Sequence, residues 1–285
     1  MNASFPGAPS PHGPSTGFGR RRLLALAGVG SALAAYYLFS ESLWDVSLWW
    51  EIAFLALCLM PVVFALVYLV LPVWRARGLL LVGLAFVALA AVLETGGLEG
   101  LANFAKLAAM TALGFWFLSY FETVRWVILV AAIIPIVDAY SVWRGPTRHI
   151  VTEQREIFTT LSFAFPVPGE HASANLGVPD LLFFAVFLAA TVRFRLRPPL
   201  TWLLMTLSFG TTMALAVWLE AVGLPALPGL SIAFLVANAD LLWRALQRGT
   251  DIPNEPVAQK GMPGMEGADR EGNLEEMRVT RYPER

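Results

Sequence analysis

The stretch Leu176-Gly177-Val178-Pro179-Asp180-Leu181-Leu182-Phe183-Phe184 decides how this chain is read. It sets one carboxylate at the mouth of an apolar run long enough to enter a bilayer. An acidic side chain at that depth costs about 2.5–3.5 kcal/mol on insertion scales. Such groups are as a rule paired, and they mark functional sites by default. What Asp180 pairs with is therefore the question for the remaining sequence.

The chain has 285 residues, 57% of them hydrophobic and only 14% charged. Its mean hydropathy is +0.62. Soluble domains carry about 25% charged residues. A chain this apolar could not cover its own surface in water, so the class is an all-α polytopic membrane protein. The net charge of −1 hides a segregation, with charges gathered between apolar runs and in the C-terminal tail. That balance does not point to nucleic acid. Cys58 is the sole cysteine, which excludes an intrachain disulfide and a cysteine metal cluster. His12, His149 and His171 are too few and too scattered for a zinc site of ordinary spacing. No metal or cofactor is expected. Hydrolytic chemistry would have to run on carboxylates or hydroxyls.

Asp180 opens a span expected over about Asn175–Val192, stopped by Arg193, Arg195, Arg197 and the pair Pro198-Pro199. Two spans follow, Thr201–Leu219 and Pro225–Leu246. Upstream lie Trp126–Trp143, which contains Asp138, then Leu101–Phe121, Gly78–Leu93 and Ile52–Trp74. Lys106, near the start of Leu101–Phe121, is expected to snorkel to the interface without a function. Leu23–Ser40, behind Arg20-Arg21-Arg22, reads as a first transmembrane helix. The other reading is a twin-arginine signal peptide with an A-x-A-like end at Ala32-Leu33-Ala34-Ala35. That makes about eight transmembrane helices. Residues 1–19 and 247–285 are Pro/Gly-rich or charged and read as disordered tails. The organisation expected is tail, N-terminal helices over 20–125, a functional region over 126–246, and tail. The patch Leu161-Ser162-Phe163-Ala164-Phe165 in the polar loop before Asp180 alternates partly and can form a short strand.

Orientation follows the arginines. With eight spans, Arg20–Arg22, Arg75, Arg77, Arg125, Arg193, Arg195, Arg197, Arg244 and Arg248 share one side. Glu41, Asp45, Glu51, Glu94, Glu99 and Glu220 share the other. Both termini are then expected in the cytoplasm of a multi-pass protein of the plasma membrane. Span five runs outward with Asp138 in its last third, and span six runs inward with Asp180 at its start. The two carboxylates fall at one depth, and the irregular Leu224-Pro225-Ala226-Leu227-Pro228 starts the last span at that level. Two close carboxylates share a proton and titrate as a pair. One takes a proton from water while the other donates to a carbonyl oxygen. From residues alone, helix packing, an interfacial role or an ion path stays open beside catalysis. Pro135, one turn before Asp138, and Pro179, Pro225 and Pro228 make the backbone irregular there. Irregular backbone survives at membrane depth when buried in protein or lining a wet cavity. Such a cavity can bind an extended peptide by strand addition.

These elements carry a resemblance. Ile136-Val137-Asp138-Ala139-Tyr140-Ser141-Val142-Trp143 resembles the first-aspartate helix of the presenilin and signal peptide peptidase family of intramembrane aspartyl proteases. Gly177-Val178-Pro179-Asp180 is similar to that family's Gly-x-Gly-Asp motif. Leu224-Pro225-Ala226-Leu227-Pro228 is similar to its Pro-Ala-Leu motif, in the same chain order. The overlap covers about Trp126 to Leu246. The resemblance implies an aspartic endopeptidase that cleaves transmembrane or signal-peptide helices, with Asp138 and Asp180 as a metal-free catalytic dyad. Gly177, Val178, Pro179, Pro225, Ala226 and Leu227 would support the site and the substrate strand. Leu161–Phe165 would lie where the family places a substrate-pairing segment. The partners implied are a transmembrane peptide and the lipid bilayer, with no nucleic acid. The inferred orientation is that of the signal peptide peptidase branch.

The sequence departs from the family at two places. Val137 stands where the family has tyrosine, and Pro179 where it has the second glycine. Proline fixes φ and removes a donor where glycine would leave freedom. The chain is also one span short of the family's nine, at the N-terminal end. Two other functions are compatible with these residues. One is a catalytically impaired relative that binds transmembrane segments. The other is a proton or cation conduit with Asp138, Asp180 and Asp240 as stations, although Asp240 reads as interfacial.

Overall fold

A computed structural model describes residues 19–44, 46–144, 162–169, 173–219 and 224–247, with backbone alone for 142–144. In chain order these form α1 (Arg20–Phe39), α2 (Leu48–Arg75), α3 (Leu79–Thr95), α4 (Glu99–Phe117) and α5 (Val124–Arg144). Then come β1 (Ser162–Pro166), β2 (Ser173–Gly177), α6 (Val178–Arg193), α7 (Pro198–Trp218) and α8 (Leu227–Gln247). The described chain is thus mostly helical, with one two-stranded sheet. Six helices, α1, α2, α4, α5, α7 and α8, are long and apolar enough to cross a membrane. The other two are shorter, with 17 residues in α3 and 16 in α6. The segments at 1–18 and 248–285, His12, His149, His171, Asp45, Glu220, Arg248 and Leu161 lie outside the described residues.

One expected span is corrected. Asn175–Gly177 is the end of a strand, and the helix starts at Val178. Pro179 sits in its first turn, where a missing N–H costs nothing because the first four amides have no intrahelical partner. The strand expected over Leu161–Phe165 is found over Ser162–Pro166, and it pairs antiparallel with β2 in the register Ser162↔Gly177, Ala164↔Asn175 and Pro166↔Ser173.

The core is built around α6. From Phe184 to Ala190 every residue is fully buried, so this helix is apolar all round and enclosed by its neighbours. Phe184 stacks on Phe64 of α2 with ring centroids 4.1 Å apart, and Phe209 of α7 closes the trio at 5.1 Å from Phe64. Phe187 stacks on Phe234 of α8 at 4.9 Å. Small residues allow close helix approach. A Cβ on Gly114 of α4 would lie 2.8 Å from both Ala185 Cβ and the Leu182 carbonyl oxygen of α6. A Cβ on Gly210 of α7 would lie 2.8 Å from Ala56 of α2. Ala56 sits in a π-helical turn, Leu55–Leu59, just ahead of Pro61, whose missing N–H removes a rung of the α ladder.

The two ends of this bundle differ chemically. At one end Arg193 Nη1 donates to the Leu118 carbonyl at 2.7 Å, and Arg197 forms a two-pronged pair with Asp240 at 2.7 Å on each prong. Arg197 N–H also donates to Asn238 Oδ1, and Asn238 Nδ2 donates to Thr201 Oγ1. The other end holds the sheet, the last turn of α1, the end of α3 and the start of α8.

Candidate active site: two aspartates and a capped strand

β2 runs without a break into α6, so the sheet fixes where α6 begins. Gly177 is the N-cap, in extended backbone at φ −61°, ψ 141°, and Asp180 lies three residues on. A carboxylate at that position can reach back to the N-cap amide, as in a capping box. The Asp180 carboxylate folds back toward Gly177, and a Cβ on that glycine would lie 3.1 Å from Asp180 Oδ2. Asp180 is half-buried.

Asp138 approaches from α5. The Leu227 amide donates to Asp138 Oδ2 at 3.1 Å across 89 positions of sequence. Leu227 is the first residue of α8, so this amide has no intrahelical partner. Pro225 and Pro228 flank it and have no N–H to offer. The positive end of α8 therefore faces a carboxylate, the favourable sense of the helix dipole. Asp138 is close enough to act electrostatically on Asp180. The structure thus brings together Asp138, Gly177, Asp180 and Leu227 from α5, β2, α6 and α8. Val178 is half-buried, Pro179 exposed, Pro225 half-buried and Ala226 buried, and the structure gives none of these four a polar contact with either carboxylate.

The sheet has one closed edge. On β1, the outward groups are those of Ser162, Ala164 and Pro166. Lys106 Nζ donates to the Ser162 carbonyl at 3.2 Å, and Ala164 N–H donates to Asn103 Oδ1 at 3.1 Å. Tyr37 donates its hydroxyl to the Ala164 carbonyl at 2.6 Å, and Tyr36 to the Pro166 carbonyl at 2.7 Å. Beyond the strand, Gly169 N–H donates to the Ser40 carbonyl at 2.8 Å. In an antiparallel pair, directly opposed residues both point their main-chain groups inward or both outward. Asn175, opposite Ala164, therefore points its N–H and C=O away from β1. Among the described residues nothing takes them.

These contacts were not foreseen. Lys106 does not snorkel: its side chain is 13% exposed and pairs with Glu94 Oε2 at 3.0 Å. Two charges inside apolar helices, Glu94 and Lys106, were the available signal, as was Asn103 one turn before Lys106. Tyr36 and Tyr37 bond to the sheet from the last turn of α1 and Leu33 is buried, so α1 packs as part of the fold. Asp240 lies at the far end of α8 from Leu227, held by Arg197.

Among the described residues no group of three or more His, Cys, Asp or Glu is placed to hold a metal ion. The arrangement offers two carboxylates acting on each other, one of them accepting the Leu227 N–H, beside a strand with an open edge. No family model matches the chain, and no curated protein matches it.

Proposed function

We propose that this chain is an intramembrane aspartic endopeptidase with Asp138 and Asp180 as its dyad. The observation that supports this most directly is the meeting of Asp138, Asp180 and the Leu227 amide from three separate helices. In this reading one carboxylate takes a proton from water as its oxygen attacks the scissile carbonyl carbon. The other, protonated, donates to the carbonyl oxygen. The tetrahedral intermediate then expels the amine as that nitrogen gains a proton. The Asn175 edge of β2 can pair with an unwound stretch of substrate and bring its carbonyl beside the carboxylates.

The lengths of the helices fit the reading. Arg193 marks the polar end of α6, and Asp180 is 13 residues away, about 20 Å at 1.5 Å per residue. With the hydrocarbon core about 30 Å thick, Asp180 and the sheet fall within it, α3 and α6 being the two shortest of eight spans. Both termini then lie on the arginine-rich cytoplasmic side of a plasma-membrane protein. A second reading has its own observation. Asp138 satisfies the first amide of α8 and Asp180 lies in the first turn of α6, so the pair could serve only to fix α6 and α8 around a segment that is bound and not cut.

Turnover separates the two. In liposomes, Asp138→Ala and Asp180→Ala are each expected to abolish cleavage of a helical test peptide, and a hydroxyl-bearing transition-state mimic to compete with it. Cleavage at the wild-type rate in either variant overturns the dyad. Capture of the peptide by the wild-type protein with no product supports the binding role instead.

A further inference from the structure

A cavity of about 180 Å³ lies between α3 and α4, with the first residue of α6 in its wall. Its apolar lining is Val87, Ala90, Ala91, Ala109, Met110 and Val178, and its polar end is Glu94 with Lys106. Three alanines at the contact of two helices make the hollow. Val178 joins it to the candidate site, two residues before Asp180 and directly after the open strand.

The chemistry of the polar end narrows what can enter. Glu94 and Lys106 neutralise each other at 3.0 Å, and Lys106 also donates to Ser162. The pair is committed to holding β1 and offers no net charge to a ligand. The remaining wall is hydrocarbon apart from the Met110 thioether. Size narrows it further: an apolar protein cavity of about 150 Å³ binds benzene, so this one admits a phenyl ring or a leucine side chain. Geometry decides between occupants. A strand laid along β2 alternates its side chains between the two faces of the sheet. One in two then lies on the face of Leu176, two residues before Val178 of the cavity wall.

We propose that this cavity is the side-chain pocket of the peptide-binding site, taking one aromatic or branched apolar residue of the substrate beside the dyad. The inference rests on the peptide-cleaving reading above. It assigns Val87, Ala91, Ala109 and Met110 as the residues that set side-chain preference, far from both carboxylates in sequence.

The test uses the full chain in liposomes and transmembrane peptides carrying Ala, Leu or Phe at successive positions around the cut. Wild type is expected to favour Phe or Leu over Ala at one fixed position by about tenfold or more, the usual worth of a filled apolar pocket. Ala91→Leu and Val87→Phe, both at exposed positions of the lining, should erase that preference, with the Phe and Leu peptides losing about tenfold relative to the Ala peptide. Equal slowing of every peptide, or an unchanged preference, overturns the pocket. Should wild type cut no peptide, the cleavage reading fails on its own, and the pocket is read by capture. A photoreactive residue at Met110 in an Asp180→Ala background should then crosslink the Phe peptide and not the Ala peptide. Crosslinks to lipid alone, or to both peptides equally, overturn it.

Discussion

At Gly177 a side chain is excluded by the neighbour and not by the backbone. Its φ of −61° is open to any residue. A Cβ there would lie 3.1 Å from Asp180 Oδ2, closer than ordinary contact allows. The carboxylate would have to move by a few tenths of an ångström. Misplacements of about 1 Å cost on the order of 10²-fold in rate. Gly177→Ala is therefore expected to slow cleavage about tenfold to a hundredfold while the unfolding midpoint stays near wild type. Pro179 supplies the contrast. It is exposed and lies in a first turn that suits its ring, so Pro179→Gly should cost about 0.4–1 kcal/mol of stability through the unfolded chain. Turnover should persist, since Pro179 makes no polar contact with either carboxylate. Loss of turnover in Pro179→Gly as deep as in Asp180→Ala, with Gly177→Ala fully active, would reverse these assignments. Pro179 thus fits the first turn of α6, where no intrahelical bond needs its N–H.

At the scale of elements, the β1 edge decides where anything can pair. Exposed strand edges invite further strands, and here side chains from α1 and α4 occupy that edge. Removing one cap leaves a part-buried main-chain group without its partner, at about 1–3 kcal/mol. Tyr37→Phe, which frees the Ala164 carbonyl, and Asn103→Ala, which frees the Ala164 amide, should each destabilise by that amount in denaturant titrations in mild detergent. Neither should cost as much turnover as the dyad variants if β2 is the working edge. The helices were legible because apolar runs between arginines report lipid-length elements directly. Asp138, Asp180 and Pro225–Leu227 were legible because charge and proline are conspicuous against such runs. The β1 strand showed in the alternation of the Leu161–Phe165 patch, but its partner did not: Ser173-Ala174-Asn175-Leu176-Gly177 sits against an apolar run and lacks the β-branched residues that mark strands. The capping side chains were hidden for another reason. A tyrosine hydroxyl or an amide acquires a partner only when distant helices are assembled, and Tyr37 lies 127 positions from Ala164.

At the scale of the whole molecule, the two polar ends carry different kinds of ion pair, and this bears on whether charge moves through the bundle. At the sheet end, Glu94 and Lys106 are 22% and 13% exposed and tie α3 and α4 to β1. At the far end, Arg197 and Asp240 are each 44% exposed, so water screens them and the pair adds little to stability. Between these ends α8 runs 13 residues from Leu227 to Asp240, about 20 Å, with buried Leu230, Phe234 and Ala237 on the way. Buried Ser231 and Asn238 lie on that path too, but Asn238 is engaged by Thr201 and the Phe234 carbonyl. Through Arg197, Asp240 thus clamps the start of α7. A conduit that used it would need its charge. Asp240→Asn in proteoliposomes is therefore expected to leave both peptide cleavage and proton or cation flux at wild-type levels. A double-mutant cycle with Arg197→Ala should give little coupling, since both partners are open to water. Flux that is present in wild type and stopped by Asp240→Asn would instead make the three aspartates a single path, and the two at the sheet end its outer stations.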